Sequence, residues 1–554
     1  MRLTDPAESN RSTRLLGLVA LLVFLALMNR FIQDDAFISF QYARNLAEGN
    51  GLTFNPGERV EGYTNFLWTL LISAGISVGL DPVVWSYVLG LSFFAGSLIV
   101  TYRLTTELSG VAGAGLLACG LLGSNFTFNA YATGGLETQM QAFLVVLGVS
   151  LSRRATQASG PTILLPAAAS TVYGLAVLTR LDSVVCLLLP GLLVLAHLLR
   201  NADGHGLRAA RVAALCVPAT LLVAPWLAWK LSYYGDVLPN TFYVKVSSAA
   251  SLVRGGHYVY RFFATYWLLP LAAFALVARP GRVIAVLRRG RPPWGPTLVA
   301  TVLLWCAYVA FVGGDFMEFR FMVPILPIVM ALLSWCLVEV VEDRRARAAA
   351  VAVVLLGSVL HAATFWGVRD IESIRSLAIH MEPDGGDWDE VGRTLAEHFE
   401  PGGEVVIAVG PAGEIPYYSR LRTVDMRGLI DPWVARNGII VSTVPGHQRM
   451  SPLSYLVERE VNLVVGHPQV VSRDDGLPAV YPLADLSRFA LADASPETLP
   501  AGSRIVAIPM SGDRLLLALY LTEDGAVDRA IAENRWLTVP IGDAAGRSSA
   551  GGRP

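Results

Sequence analysis

The run Leu15-Leu-Gly-Leu-Val-Ala-Leu-Leu-Val-Phe-Leu-Ala-Leu-Met28, followed six residues later by the pair Asp34-Asp35, decides the fold class. About 17 to 25 apolar residues cross a bilayer as a helix, and with its flank up to Ile32 this run is long enough. It lacks a small-residue cleavage site, so it is expected to remain as an anchor rather than be removed as a signal peptide. Two carboxylates at the mouth of such a helix are costly unless they are put to use. The rest of the chain agrees with a membrane protein. Its 554 residues are 53% hydrophobic and 16% charged, with a mean hydropathy of +0.50, well above an ordinary soluble domain.

Working outward at one crossing per long apolar run predicts about 11 transmembrane helices, near 15–32, 83–104, 110–128, 136–152, 162–179, 183–200, 211–229, 258–278, 295–313, 322–341 and 348–366. Arginines cluster at alternate connections, among them Arg11/Arg14, Arg153/Arg154, Arg208/Arg211, Arg288/Arg289 and Arg344/Arg345/Arg347. Positive charge marks the cytoplasmic side. The expected protein is therefore multi-pass in a bacterial plasma membrane, with its N-terminus in the cytoplasm and its C-terminus outside. Tyr63–Leu80 is apolar too, but counting it as a crossing would invert the arginine pattern, so it is read as a helix at the outer interface. Past residue 366 an α/β pattern begins, with a helix over 389–398 and strands over 404–409, 422–426 and 461–466. The domain expectation is a membrane catalytic domain over 1–366, an extracytoplasmic α/β domain over 367–541 and a disordered tail over 542–554.

The five cysteines all fall in apolar runs and read as small core residues rather than a disulfide framework. A net charge of −1 gives no reason to expect a nucleic-acid partner. Of 43 basic residues only two are lysine, Lys230 and Lys245, a bias that points to a GC-rich genome.

Four polar motifs fall on the outward connections. They are DDAFISFQYARNLAEGNGLTFNPGERVEGYTNFLW from Asp34, GGLET at 134–138, YYGDVLPNTFYVK at 233–245 and GGDFMEFRF at 313–321. Together they resemble the GT-C superfamily of membrane glycosyltransferases, and within it the actinobacterial terminal arabinofuranosyltransferases. The resemblance implies a GT-C-like fold, a decaprenyl-phosphate pentose as donor in the outer leaflet, a cell-wall arabinan or other glycan as acceptor, and Asp34 as the catalytic member of the pair.

Chemistry gives these residues plausible work independently. A glycosyl phosphate already carries its leaving group, so an enzyme must activate an acceptor hydroxyl and stabilise charge on the departing phosphate. A carboxylate does the first, and Asp34 and Asp35, being adjacent, raise one another's basicity. For the second, the cations Lys245, Lys230, Arg320 and Arg180 are candidates, although Arg180 equally suits an ion pair with Asp182. Arg44, Glu58, Arg59, Glu61, Tyr63, Asn65, Glu137, Asn240, Asp315 and Glu318 are candidate substrate contacts, as are Asp431 and His447 in the α/β domain. Each has a structural alternative. Asp34 or Asp35 suits the N-cap of an interfacial helix stopped by Gly49, Glu137 favours a helix dipole, and Asp425, Asp431 and His447 suit turns. Asp387-Trp388-Asp389 reads as a helix start rather than a metal-binding pair. Val409–Tyr418 is neither a P-loop nor a dinucleotide fingerprint. No cofactor is required, and a divalent metal is compatible with the chemistry but not called for.

Two variants stay open at this point: a surface-glycan or flagellin glycosyltransferase using another lipid-phosphate sugar, and, in a different class, a transporter or flippase of wall precursors. Transporters gather ionisable groups near the bilayer midplane between broken helices, whereas these polar motifs collect at one face. A wall-assembly scaffold, a third class, needs no paired carboxylates.

Overall fold

The computed structural model describes residues 6–158, 160, 162–200, 204–244, 249–290, 292–368, 370–380 and 386–542. Lys245 and residues 543–554 of the expected tail lie outside them, while Gly542, expected to begin that tail, ends the strand Leu537–Gly542. The protein is a polytopic α-helical membrane protein with a C-terminal α/β domain, and the chain divides into two compact units. One comprises Met1–Ile32, Thr64–Val237 and Ser247–Ser376, the other Gln33–Tyr63, Leu238–Val246 and Leu377–Pro554.

The first unit is helical. Each of the expected crossings holds a helix, but length separates them. Among the described residues seven are long and apolar enough to span a bilayer: Asn10–Met28, Pro82–Ser109, Ser183–Arg200, His205–Tyr234, Trp294–Phe311, Arg320–Val340 and Arg344–Thr364. Ala112–Ser124 and Leu164–Thr179 are apolar but shorter, and at about 1.5 Å rise per residue the first reaches only about two-thirds of a 30 Å hydrocarbon core. Thr138–Gln157 buries most of its length and carries Arg153 and Arg154, both paired with Glu107. The expected continuous helix over 258–278 is instead broken. Ser251–Thr265 and Leu268–Ala278 meet at 75°, with Trp267 in the left-handed region at φ 57°. Phe66–Ser77 is a helix, as its apolar run suggested.

In the second unit β1 (Val406–Val409), β2 (Arg422–Asp425), β5 (Leu463–Ser472), β6 (Tyr481–Pro482), β7 (Arg504–Pro509), β8 (Arg514–Tyr520) and β9 (Leu537–Gly542) form a seven-stranded sheet, while β3 (Ile439–Ile440) pairs with β4 (Arg449–Met450). The sheet order is β2-β1-β5-β8-β7-β9-β6. β1 runs parallel to β2 and β5, and β8 and β7 continue antiparallel. The unbroken apolar burial of β1 fits a strand covered on both faces. Helix Trp388–His398 buries Trp388, Val391 and Leu395 at helical spacing.

The first-loop segment Gln33–Tyr63 belongs to this α/β unit rather than standing apart as a loop, and its side chains explain why. Asn55 reads the edge of β2 with both ends of its amide, donating to the Thr423 carbonyl at 2.9 Å and accepting from the Thr423 amide at 3.1 Å. Arg44 donates to the Tyr417 carbonyl at 2.7 Å and lies 4.3 Å over the Tyr417 ring. Phe37 packs edge-on against Phe40 and Tyr417. Asn240, from the short second insertion, donates to the carbonyls of Gly428 and Leu429, and its amide donates to the Glu61 carbonyl.

Candidate active site

Asp34 and Asp35 open the helix Asp34–Ala47. The N-cap expected of them falls instead to Gln33, whose side chain makes no capping bond, and the helix ends one residue before its C-cap Glu48 with Gly49 just beyond at φ 86°. Asp34 serves another segment. Its Oδ1 accepts from the Glu414 amide at 2.7 Å and its Oδ2 from the Gly413 amide at 3.0 Å, so it caps helix Glu414–Ser419, whose own N-cap is a glycine. These are strong, charge-assisted bonds. Burial nonetheless dominates: it pushes the Asp34 carboxyl up to about 7, with the two amides opposing and Asp35 adding to the rise.

Glu414, unremarked in the sequence, sits at the same place. Its side chain is buried, Oε2 finds no hydrogen-bond partner among the described residues, and burial together with Asp34, Asp389 and Asp387 pushes its carboxyl up to about 9. Near neutral pH it is a neutral acid. Gln33 is also buried, with both amide atoms unpartnered among the described residues. The site thus pairs a carboxylate poised to gain or lose a proton with hydrogen-bonding capacity that no group among the described residues fills.

Several other candidates in this unit hold the segment in place. Glu58 accepts from Arg422 at 2.8 Å and Arg459 at 2.9 Å. Burial raises its carboxyl, but hydrogen bonds from Arg422 and Asn55 and the charge of Arg459 bring it below the usual range. Asp431 caps helix Pro432–Asn437 and accepts from the Tyr455 hydroxyl at 2.9 Å. Glu61 and Tyr63 are buried, Tyr63 against the Tyr42 ring at 4.9 Å, and Arg59 is exposed. His447 lies in a turn whose amide bonds the Val444 carbonyl. Asp425 accepts from the amides of Arg427 and Ile430, with burial raising it to about 6. Asp387 makes no cap bond to its helix and pairs with Arg514 at 2.9 Å.

The helical unit gathers a different set. Glu137 receives Asn65 at 2.7 Å and Arg180 at 2.8 Å, and Arg180 also grips Asp182 at 2.8 Å. This is a buried network, as the ion-pair alternative for Arg180 implied. Asp315 accepts from Arg320 at 2.7 Å, while Glu318 bonds His361 at 2.6 Å and the Ile374 amide at 2.9 Å. Lys230 is buried, its Nζ 5.4 Å from the Trp226 ring centroid. Among the described residues no group of three His, Cys, Asp or Glu is arranged to hold a metal.

Residues 374–508 match a family described as a domain of unknown function (DUF8728). The chain is similar to the terminal beta-(1->2)-arabinofuranosyltransferase of Corynebacterium glutamicum, 31% identical over 347 residues, covering 57% of this chain and 49% of that protein. It is also similar to the Mycobacterium tuberculosis protein of the same name, at 29% over 324 residues, covering 52% and 50%. The chain therefore spans about half the length of the curated relatives it matches. Among solved structures it resembles ArnT from Cupriavidus metallidurans bound to undecaprenyl phosphate, with a TM-score of 0.56 at 14% identity over 92% of this chain and 97% of that one. The apo form of the same protein gives 0.53 at 14%, over 92% and 98%. At such identity the likeness is one of fold alone.

Proposed function

We propose that the chain is a glycosyltransferase that moves a sugar, arabinofuranose foremost, from a polyprenyl-phosphate donor to a cell-wall polysaccharide on the extracytoplasmic side of the membrane. The observation that carries this reading is the Asp34 carboxyl, held by two backbone amides and raised to about 7 beside a second carboxylate. The named activity of the arabinofuranosyltransferase relatives supports the sugar, and the bound undecaprenyl phosphate of the ArnT structure supports the donor class. The arginine distribution supports the orientation, with the acid pair outside.

In the proposed reaction an acceptor hydroxyl attacks the anomeric carbon. The new C–O bond forms as the bond from that carbon to the phosphate oxygen breaks, the phosphate leaves with the electron pair, and the hydroxyl proton passes to the acid pair. A base with pKa near the working pH serves this step better than an ordinary aspartate. Asp34 is fixed by its amides, so Asp35 is an equal claimant for the contact with the hydroxyl. The remaining polar candidates, Arg44, Glu58, Arg59, Glu61, Tyr63, Asn65, Glu137, Asn240, Asp315, Glu318, Asp431 and His447, are ranked below the pair, because most already bond within the protein.

The test is transfer from a synthetic polyprenyl-phosphate arabinose in membranes containing wild-type, Asp34→Asn or Asp35→Asn protein. A loss of about 10²- to 10⁴-fold in at least one variant, with expression kept, is the expected size for a missing general base. Wild-type turnover in both would remove the assignment.

A further inference from the structure

In the α/β unit β3 and β4 form a short ribbon, Ile439–Ile440 against Arg449–Met450. Successive strand residues point to opposite faces, yet Ile439 and Ile440 are both exposed, Ile440 by 61%. The ribbon is thus covered on neither face at this edge. Val441 is exposed as well, so a run of β-branched apolar side chains stands in contact with solvent. The run is pinned rather than loose. Arg449 Nη1 donates to the Gly438 carbonyl at 2.9 Å, and the Val441 amide donates to the Gln448 carbonyl. Gly438 turns the chain directly from helix Pro432–Asn437 into the ribbon, because a Cβ there would stand 2.7 Å from the Val434 carbonyl oxygen and 2.9 Å from that of Met450.

The exposed apolar surface extends beyond the ribbon. Trp433 is exposed on the preceding helix, one turn before Arg436. Its ring stacks on that of Tyr455 at 4.1 Å and 6°, and the Tyr455 hydroxyl is held by Asp431, so the indole rests on a fixed platform. The Arg436 guanidinium lies 4.1 Å over the Tyr243 ring, which brings in helix Asn240–Val244, where Phe242 is 56% exposed. Phe242, Trp433, Ile439, Ile440 and Val441 are thus linked through Tyr243, Arg436 and Gly438. The chain from Pro432 to Val457 holds Arg436 and Arg449 and no acidic residue. Exposed apolar patches mark docking surfaces, and aromatic and aliphatic side chains beside arginine, with no carboxylate, match the head-group boundary of a bilayer. A glycan needs hydrogen-bonding partners for its hydroxyls beside an aromatic face, and the side chains of Ile439, Ile440 and Val441 offer none. Covalent continuity keeps the bilayer within reach. Helix Asn240–Val244 starts six residues after the spanning helix His205–Tyr234 ends and stops seven residues before helix Ser251–Thr265 begins, tethers of at most about 25 Å.

We propose that this surface of the α/β unit, led by Trp433 and Ile440, docks shallowly into the lipid bilayer at the level of the head groups. The proposal goes beyond the glycosyltransferase reading and depends on neither the acid pair nor turnover, only on the membrane fold. It gives the unit that carries Asp34 a lipid anchor of its own in addition to its covalent tethers.

The experiment uses the full-length protein, one copy per nanodisc of phosphatidylglycerol and phosphatidylcholine, with an environment-sensitive fluorophore on Ile440→Cys. The aqueous control carries it on Asp475→Cys, in the exposed segment Arg473–Asp475. Label taken up by the native cysteines is measured on wild type and subtracted, and thermal melts establish that each variant is folded. One quencher is a lipid bearing a nitroxide on a shallow acyl carbon, the other is iodide in the buffer. The label at 440 is expected to lose roughly half of its emission or more to the lipid quencher, which samples the depth of about 5–10 Å reached by interfacial apolar surfaces, and to resist iodide. The label at 475 is expected to behave in the opposite way. Equal iodide quenching at both positions, with no lipid quenching at 440, would overturn the proposal. Protection from iodide at 440 without lipid quenching would overturn it too, and if that protection appears only on adding a soluble arabinan the surface is a glycan site instead. Should Ile440→Cys fail to fold, Val441→Cys carries the label under the same criteria. Transfer by the aspartate variants bears on none of these outcomes, so the docking surface and the catalytic assignment stand or fall separately.

Discussion

A side chain on Gly413 would put its Cβ 1.9 Å from the Asp34 backbone oxygen and 2.7 Å from its carboxyl carbon. That contact cannot be relieved by a flexible side-chain end, so Gly413→Ala should displace the aspartate, cost about 1–3 kcal/mol and depress transfer, which a melt and an assay on the same preparation would record together. Glu414 makes the opposite prediction. A carboxyl raised in the folded state, from an ordinary 4.5 to about 9, lends stability below its unfolded pKa that disappears as pH rises toward the folded value. Asp34, raised from 3.8 to about 7, adds to the same slope over the lower part of that range. The protein should therefore lose stability between about pH 4.5 and 9. Glu414→Gln should flatten the upper part of that profile and raise the melting temperature at pH 8, by about 2–4 °C for each kcal/mol recovered. An unchanged profile in that variant would mean Glu414 is ionised and paired. For catalysis, the ascending limb of kcat/KM against pH should have its midpoint near 7, and a limb near 4 would exclude Asp34 as the titrating base.

At the scale of elements, the buried triad of Glu137, Arg180 and Asp182 ties the start of helix Thr138–Gln157 to the junction before helix Ser183–Arg200. Removing Arg180 leaves two carboxylates buried without their cation, so Arg180→Met should cost about 3–5 kcal/mol, read as loss of monodisperse protein in detergent. The triad was partly legible in the sequence, since Arg180 and Asp182 are two residues apart, but Glu137 joins them across 43 positions. Long-range pairings of this kind leave no local periodicity to read. The same holds for Asp34, whose amide partners lie 379 and 380 residues away. The strand β1 and the start of β5 were legible because buried parallel strands form continuous apolar runs. The break at Trp267 was hidden because apolarity continues through it.

For the whole molecule, sequence order misleads most at the first loop. Reading outward from the first apolar helix suggests a membrane domain followed by an independent tail, yet Gln33–Tyr63 folds with Leu377–Pro554. Deleting the chain beyond Trp366 would therefore strip Asp34 of both amide donors and Asn55 of the β2 edge. We expect that truncation to abolish transfer outright, rather than to weaken acceptor use alone, with donor binding by the helical unit as the comparison. The acid pair stood out from the start because adjacent carboxylates at a membrane boundary are rare without purpose, whereas Gly413 and Glu414 resembled any loop after a strand. The most direct measurement is the transfer of labelled arabinose from its polyprenyl phosphate by purified, folded protein, comparing wild type with Asp34→Asn and Asp35→Asn. The account predicts product from wild type and a fall of at least about 10²-fold in one or both variants. Undiminished product from both would contradict it.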